Sequence, residues 1–463
     1  MPVKFDAILI GTGQAAPSLA ARLAEAGMRV AIIERHRFGG TCVNTGCMPT
    51  KTMIASAYVA HTARRARAYG VNFAGDVTVD MEAVKARKDA ISRGASRDLE
   101  DWLRHLKNVT VFVGTARFED AETVQVNTDT LSADKIFLNV GGRAFVPPLS
   151  GVEETPFLTN STMMDVDFLP KHLVIVGGSY VGLEFAQMYR RFGSDVTVVE
   201  KDPRLVPRED EDISDAIRGI LESEGIQIRL NATCISLNRA PDGAGVIVGV
   251  DCQEGEPRVE GSHVLLAVGR IPNTDDLELG RAGVDTNERG YIKVDDQCRT
   301  NVPGIWALGD CNGRGAFTHT SYNDFEIVAA NLLDNDPRKI SDRIPCYALY
   351  TDPPLGRIGM TEGEVKKAGR KALVGKRLMS RVNRAVERGE TQGFMKVLIA
   401  EDTGEILGAA LLGLNADEVV QSLLDVMYAH ARYTVVRRAM HIHPTVSELI
   451  PTMLGELKSL QVE

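Results

Sequence analysis

An α/β fold made of two strand–helix–strand units of one design, followed by an α+β layer, is what this 463-residue chain predicts. Three observations carry it. Two apolar runs each end in a glycine-rich turn, both turns stand equally far from an acidic residue, and the pattern changes beyond about residue 342.

In the first unit, Phe5-Asp-Ala-Ile-Leu-Ile10 reads as a short strand that enters Gly11-Thr-Gly13-Gln-Ala-Ala16. Ser18 to Gly27 then shows helical spacing at Leu19, Leu23 and Ala24, and Met28–Ile33 is a second strand closed by Glu34. The second unit repeats this. His172–Val176 enters Gly177-Gly-Ser179-Tyr-Val-Gly182, a helix runs from about Leu183 to Phe192, and Asp195–Val199 ends at Glu200. Each acid lies 23 residues beyond the first glycine of its turn. Glycines between a strand and a helix let backbone approach a pyrophosphate at the helix N-terminus, and an acid at the second strand's end suits ribose hydroxyls. One such turn is weak evidence, because glycines also mark ordinary turns. Two matching copies predict two dinucleotide sites.

Pro147 to Pro170 reads as a hinge, because prolines and glycines interrupt both periodicities. Short strands are expected at Val111–Val113, Thr123–Val126 and Lys135–Val140. Beyond Asp342, Met395–Ile399, Ile406–Leu414 and a helix through Asp417 to Ala431 predict a separate domain.

Composition excludes several functions. Lys+Arg 53 against Asp+Glu 62 gives a net charge of −9, so no global basic field favours nucleic acid or anionic lipid. The Arg-dense stretch, Arg64 to Arg67 and then Lys85 to Arg97, lies among Asp80, Glu82 and Asp89 and reads as a solvated helix face. No run reaches the ~18 to 20 apolar residues of a membrane span. Met1–Asp6 shows neither a basic leader nor a cleavage site, so a cytoplasmic address is expected.

The cysteines at 42, 47, 234, 252, 298, 311 and 346 are odd in number, unlike a secreted disulfide framework. Only Cys42 and Cys47 lie close together. Pro49 suits the first turn of a helix running through Ala63, and a cysteine near that positive end is biased towards thiolate. A zinc or iron–sulfur site would need about four ligands and no further Cys-x-x-Cys supplies them; two unrelated buried thiols are the other plain alternative. A redox-active pair fits better beside a dinucleotide turn.

Gly39-Gly-Thr-Cys-Val-Asn-Thr-Gly-Cys-Met-Pro-Thr-Lys51 resembles the signature of the class I flavoprotein disulfide reductases, the family of dihydrolipoamide dehydrogenase, glutathione reductase and mercuric reductase. Ala267–Asn273, Ile305–Asp310 and His443-Pro-Thr-Val-Ser-Glu448 extend the resemblance over essentially the whole chain. It implies two Rossmann-like domains, for FAD and NAD(P), and a C-terminal α+β dimerisation domain. The expected boundaries are 1–150, completed by 271–341, for FAD, 151–270 for NAD(P)H, and 342–463 for the interface.

By the same resemblance, Gly11, Gly13 and Ala16 face the FAD pyrophosphate, Glu34 the ribose and Asp310 the ribityl chain. Gly177, Ser179, Gly182 and Glu200 form the second nucleotide site, with Tyr180 over the nicotinamide pocket. Thr41, Ala116, Gly141, Gly269 and Arg270 complete the cofactor-binding set. Cys47 is the thiol against the flavin and Cys42 the outer thiol, while Lys51 and Glu184 pair beside the flavin ring. His443, oriented by Glu448, is the acid–base and serves the second subunit of an obligate homodimer. No resident metal is implied. His441 is expected to pack, His319 to hold a structural hydrogen bond, and Cys311 to be a small buried residue.

Some features depart from familiar members. Ser179 stands where a glycine is expected. Glu200 favours NADH over NADPH, although Lys201 and Arg204 are near it in sequence. Glu456–Glu463 contains no cysteine and no cysteine-bearing metal module precedes Phe5, which argues against the familiar mercury relay. Phe317-Thr-His-Thr, Pro353–Gly359 and Val206-Pro-Arg-Glu-Asp210 resemble the mercuric-reductase-like and reactive-chlorine-resistance copper-reductase branch. The expected activity is therefore electron transfer from NAD(P)H through FAD and Cys42–Cys47 to a metal ion or disulfide. Dihydrolipoamide dehydrogenase is the first alternative, although Asp352-Pro-Pro lacks the usual acid after the proline. Glutathione reductase fits less well, for want of an evident Arg cluster. A flavin-binding module without turnover is the alternative of another class.

Overall fold

The computed structural model describes residues 2–241, 243, 245–251 and 257–460. Cys252, the Cys234 side chain and the last three residues of the Glu456–Glu463 tail lie outside the described residues. The fold is mixed α/β, as the sequence predicts.

Ala7–Ile10 and Val30–Glu34 pair in parallel at the heart of a five-stranded sheet, completed by Ile136–Leu138, Ile305–Ala307 and Val109–Val113. Ala7–Ile10 and Val30–Ile33 are apolar at every position rather than alternately, because both of their faces are covered. Successive side chains supply different cores. Ile8, Ile10, Ala31 and Ile33 enter one, while Ala7, Leu9, Val30 and Ile32 enter the other. Residues 305–307 thus return to the first unit's sheet from far along the chain.

The second unit builds a four-stranded parallel sheet from Gln227–Arg229, Asp195–Val199, His172–Val176 and His263–Leu266. Leu173 and Ile175 face one core, Val174 and Val176 the other. A six-stranded antiparallel sheet follows, centred on Phe394–Ala400 and Ile406–Leu412, all of whose residues are buried.

Element ends shift for local reasons. The first helix is Ala16–Glu25, two residues ahead of expectation, because Pro17 fits its first turn. The second-unit helix is Tyr180–Phe192, starting directly after Ser179. The helix expected over 417–431 divides into Ala416–Val419 and Gln421–Tyr428, and His430, at φ +50°, ends it early. Lys85 to Arg97 lies in helix Met81–His105, capped by Asp80 accepting from Ala83 N at 3.0 Å. Its solvated-face reading needs one correction. Lys88 is 3% exposed, pairs with Asp89 and donates to Met164 O at 2.6 Å, because this part of the helix docks on the chain's interior. No helix among the described residues is long and apolar enough to cross a membrane.

Candidate active site

The first glycine turn has no room for side chains. A Cβ on Gly11 (φ +93°) would lie 2.4 Å from Asn139 O, and one on Gly13 2.6 Å from Asn139 Oδ1. Asn139 laces the turn to the sheet. Its Oδ1 accepts from Ala16 N at 3.2 Å and its Nδ2 donates to Leu308 O at 2.8 Å. Glu34 Oε2 accepts from Thr12 N at 3.0 Å and from Thr12 Oγ1 at 2.6 Å, so the strand-end acid also braces the turn.

The second unit repeats this device. Glu200 Oε2 accepts from Gly178 N at 2.5 Å and Oε1 from Asp202 N at 3.0 Å. Cβ atoms on Gly177 and Gly182 would meet Ala267 O at 2.4 Å and Gly177 O at 2.0 Å. Ser179, by contrast, sits in extended backbone at φ −111°, where a serine carries no penalty.

A cavity of about 1170 Å³ runs from the first turn to the cysteines. Gly11, Gly13, Glu34 and Ala116 line one end; Cys42, Cys47, Lys51, Tyr180 and Glu184 line the other. Thr41, Gly141, Arg270 and Asp310 line it as well. Arg270 donates to Thr41 Oγ1 at 3.3 Å and approaches Asp310 to 3.8 Å. Burial pushes the Asp310 carboxyl up, against the pull of Arg270. The tight glycine turn, the strand-end acid and the roomy cavity that also holds the Asp310 carboxyl fit a dinucleotide such as FAD. Of the second turn only Tyr180 and Val181 reach this cavity; Ala16, Gly177, Ser179, Gly182, Glu200 and Gly269 do not line it.

Cys42 lies on the short helix Gly40–Asn44, and Cys47 is the first residue of helix Cys47–Arg65, opening onto the cavity. The two thiols are not bonded to each other. The hydrogen bond from Cys42 brings the Cys47 thiol down to about 6; burial opposes it, while Thr318 and Lys51 assist. Thr318 Oγ1 stands 3.2 Å from Cys47 Sγ. The same thiol–thiolate bond, then burial, pushes Cys42 up. The pair is polarised, with the thiolate favoured at Cys47 and the thiol at Cys42.

Lys51 Nζ meets Glu184 Oε2 at 2.6 Å, and Glu184 Oε1 accepts from Tyr350 N at 3.1 Å. His319 Nε2 lies 2.8 Å from Cys346 O, the hydrogen bond expected of it, yet its ring also lines the thiol cavity. Cys311 is fully buried. His443 Nδ1 lies 2.9 Å from Glu448 Oε2, which leaves Nε2 open. Neither residue lines the cavity of its own chain, and nearby Met440 and Ile442 are 99% and 80% exposed. His441 is half-buried, its Nδ1 3.3 Å from Ala439 O.

Asn139, Thr318 and Tyr347 escape motif reading. Thr318 stands inside Phe317-Thr-His-Thr, which offered a signal; Asn139 acts on a turn more than a hundred residues away and offered none.

The site defines a class, an enzyme with two glycine-rich nucleotide turns and a cysteine pair beside the first. Residues 5–324 match the pyridine nucleotide-disulphide oxidoreductase family and 346–454 its dimerisation domain. The chain belongs to this family of flavoprotein oxidoreductases, which depend on FAD and NAD(P)H. It is 33% identical to the probable pyridine nucleotide-disulfide oxidoreductase RclA of Escherichia coli (strain K12), over 98% of this chain and all of that one. It is 31% identical to a mercuric reductase of Streptomyces lividans, covering 96% and 94% of the two chains. A Haloarcula marismortui dihydrolipoyl dehydrogenase is 30% identical over the same shares. The solved Cu(II) complex of the HOCl-induced flavoprotein disulfide reductase RclA superposes with a TM-score of 0.89 at 33% identity, covering 98% and 99% of the two chains.

Proposed function

We propose that the chain transfers electrons from NADH, by way of FAD, to the Cys42–Cys47 disulfide, and that the resulting dithiol reduces a metal ion or a disulfide. The observation that carries this reading is the polarised cysteine pair sharing one cavity with the first glycine turn and the Lys51–Glu184 ion pair. FAD supplies the hydride-accepting chemistry between nucleotide and thiols when bound.

In this reading Gly11, Gly13 and Ala16 receive the FAD pyrophosphate, Glu34 its ribose and Asp310 its ribityl chain, with Thr41, Ala116 and Gly141 beside them. Gly177, Ser179, Gly182 and Glu200 receive NADH, Tyr180 covers its nicotinamide pocket, and Gly269 and Arg270 adjoin it. The buried Glu200 carboxylate supports NADH, since it would repel a 2′-phosphate. His443, held by Glu448, takes the outer thiol's proton in a second copy of the chain. Its exclusion from its own cavity and the dimerisation domain support that role. The domain limits at 150, 270 and 341 belong to the same reading.

The Cu(II) complex and the mercuric reductase among the relatives support a metal ion as acceptor. The dihydrolipoyl dehydrogenase relatives support lipoamide as the alternative. The test is NADH oxidation by FAD-loaded protein against Cu(II), Hg(II), lipoamide, glutathione disulfide and oxygen. Cys42-dependent turnover with a metal ion is expected. Metal-ion rates that survive Cys42→Ala would refute the thiol route, and turnover with lipoamide alone would establish the alternative.

A further inference from the structure

Val206-Pro-Arg-Glu-Asp210 and Pro353–Gly359 contribute nothing to the thiol pair, yet the fold joins them through a buried ion pair. Arg357, 1% exposed, donates to Glu209 Oε2 from Nε at 2.9 Å and Nη2 at 2.5 Å. The other oxygen of Glu209 accepts from Tyr347 Oη at 2.5 Å. Glu209 therefore holds an arginine and a phenol at once, both supplied by the antiparallel sheet.

Tyr347 passes this fixation on to the nucleotide side. Its ring meets Tyr180 edge-on, with centroids 5.4 Å apart at 80°, and stacks on Phe317 at 5.6 Å and 14°. Phe317 meets Tyr180 edge-on from another side, at 6.2 Å and 89°. The Tyr180 ring thus rests in a corner of two aromatic rings, and of these two only Tyr347 has a hydroxyl to anchor. The loop bearing Glu209 also braces the second glycine turn. Val206, at φ +40°, donates from N to Gly178 O at 2.9 Å, and Leu205 would be struck at 2.6 Å by a Cβ on Gly178. A positive φ is an outlier for a β-branched residue and persists only where its surroundings impose it.

We propose that Tyr347, anchored by Glu209 and Arg357, is a positioning residue that fixes the Tyr180 ring across the nicotinamide pocket and so sets how readily NADH enters. The proposal rests on the reading of Tyr180 as the cover of that pocket. Tyr347 packs directly on Tyr180, so the effect carried by that contact belongs to the nucleotide half-reaction.

Tyr347→Phe tests it, because it keeps the ring, removes the anchoring hydroxyl and leaves Glu209 paired with Arg357. The measurement is anaerobic stopped-flow bleaching of the FAD-loaded protein against NADH concentration, in the Tyr347→Phe, Tyr180→Ala and double variants. A loosened cover costs less to displace. The apparent Kd for NADH is expected to fall roughly tenfold in Tyr347→Phe, about what a lost hydrogen bond to a charged group is worth at the low end. In the Tyr180→Ala background the same substitution is expected to change nothing. An equal effect in both backgrounds, or an unchanged or raised Kd in Tyr347→Phe, overturns the positioning role. If Tyr180→Ala itself leaves NADH binding and the bleaching rate unchanged, the cover reading fails, and this inference with it.

Discussion

Removing Cys42 is expected to raise the pKa of Cys47, because the Cys42 hydrogen bond is the largest influence lowering it. The Cys47 thiol is brought from 9.0 to about 6, a drop that burial opposes and that Thr318 and Lys51 support to a lesser degree. In Cys42→Ala the weaker helpers remain while the main one is gone. The midpoint is expected to climb by at least about one unit, towards the ordinary thiol value. The sign follows from which form the bond favours. The native protein holds the thiolate above pH about 6 and loses it as pH falls through that value, whereas the variant loses it at a higher pH. The assay is a pH titration of the thiolate absorbance and the long-wavelength thiolate–flavin band in FAD-loaded protein, two-electron-reduced for the native pair and with the flavin left oxidised for Cys42→Ala, which has no disulfide to reduce. Coincident midpoints for native protein and variant would refute the reasoning and assign the low pKa to Thr318, Lys51 and the helix terminus.

His443→Gln is expected to slow the acceptor half-reaction by ~10² to 10⁴ while NADH still bleaches the flavin at nearly the native rate; equal slowing of both in rapid kinetics counts against the acid–base role. Gly13→Ala is expected to lower the FAD content of the purified protein without unfolding it, since its Cβ would lie 2.6 Å from Asn139 Oδ1; full flavin occupancy with unchanged circular dichroism would contradict the tight-turn argument. Glu209→Ala leaves the buried Arg357 with Asp210 as its remaining carboxylate, at 3.2 Å, and is expected to cost roughly 3 kcal/mol in urea unfolding, the low end for breaking a buried pair; a loss below about 1 kcal/mol would mean that Asp210 compensates. Burial pushes Asp210 and Asp212 up, but Lys396 acting on both, with Arg357 and Lys376, holds them below the usual carboxylate range. Their stabilisation is therefore complete at neutral pH and lost as pH falls through and below the ordinary carboxylate value, and the urea midpoint of Lys396→Met is expected to fall less between pH ~5 and ~2 than that of the native protein.

What the sequence made legible is what has a local signature. The two glycine turns and their strand-end acids needed only spacing, since the same 23-residue interval from first glycine to acid recurs in both units. Cys47 at the head of its helix followed from Pro49, and His443 with Glu448 from one short motif. Lys88 was misread because charge pattern alone does not show that a helix face docks on Met164. Asn139, and the union of Glu209 with Arg357 and Tyr347, were invisible for a different reason: their partners lie more than a hundred residues away. Contacts of that separation leave no periodicity to read.

The polarisation of the cysteine pair also constrains the proposed route. With the charge resting on Cys47, the outer thiol keeps its proton and is a poor nucleophile until a base removes it. Within the cavity, Lys51 is committed to Glu184, and His319 turns its Nε2 to Cys346 O. His443 has the required form, one nitrogen fixed by Glu448 and the other open, but it stands on an exposed segment away from its own cavity. On the proposed reading the nucleotide half-reaction can be completed by residues of one chain, whereas thiol attack on the acceptor requires a second. Dimer formation and acceptor chemistry are then a single requirement, which explains why an imidazole–carboxylate pair is held ready on a surface where it has nothing of its own to deprotonate.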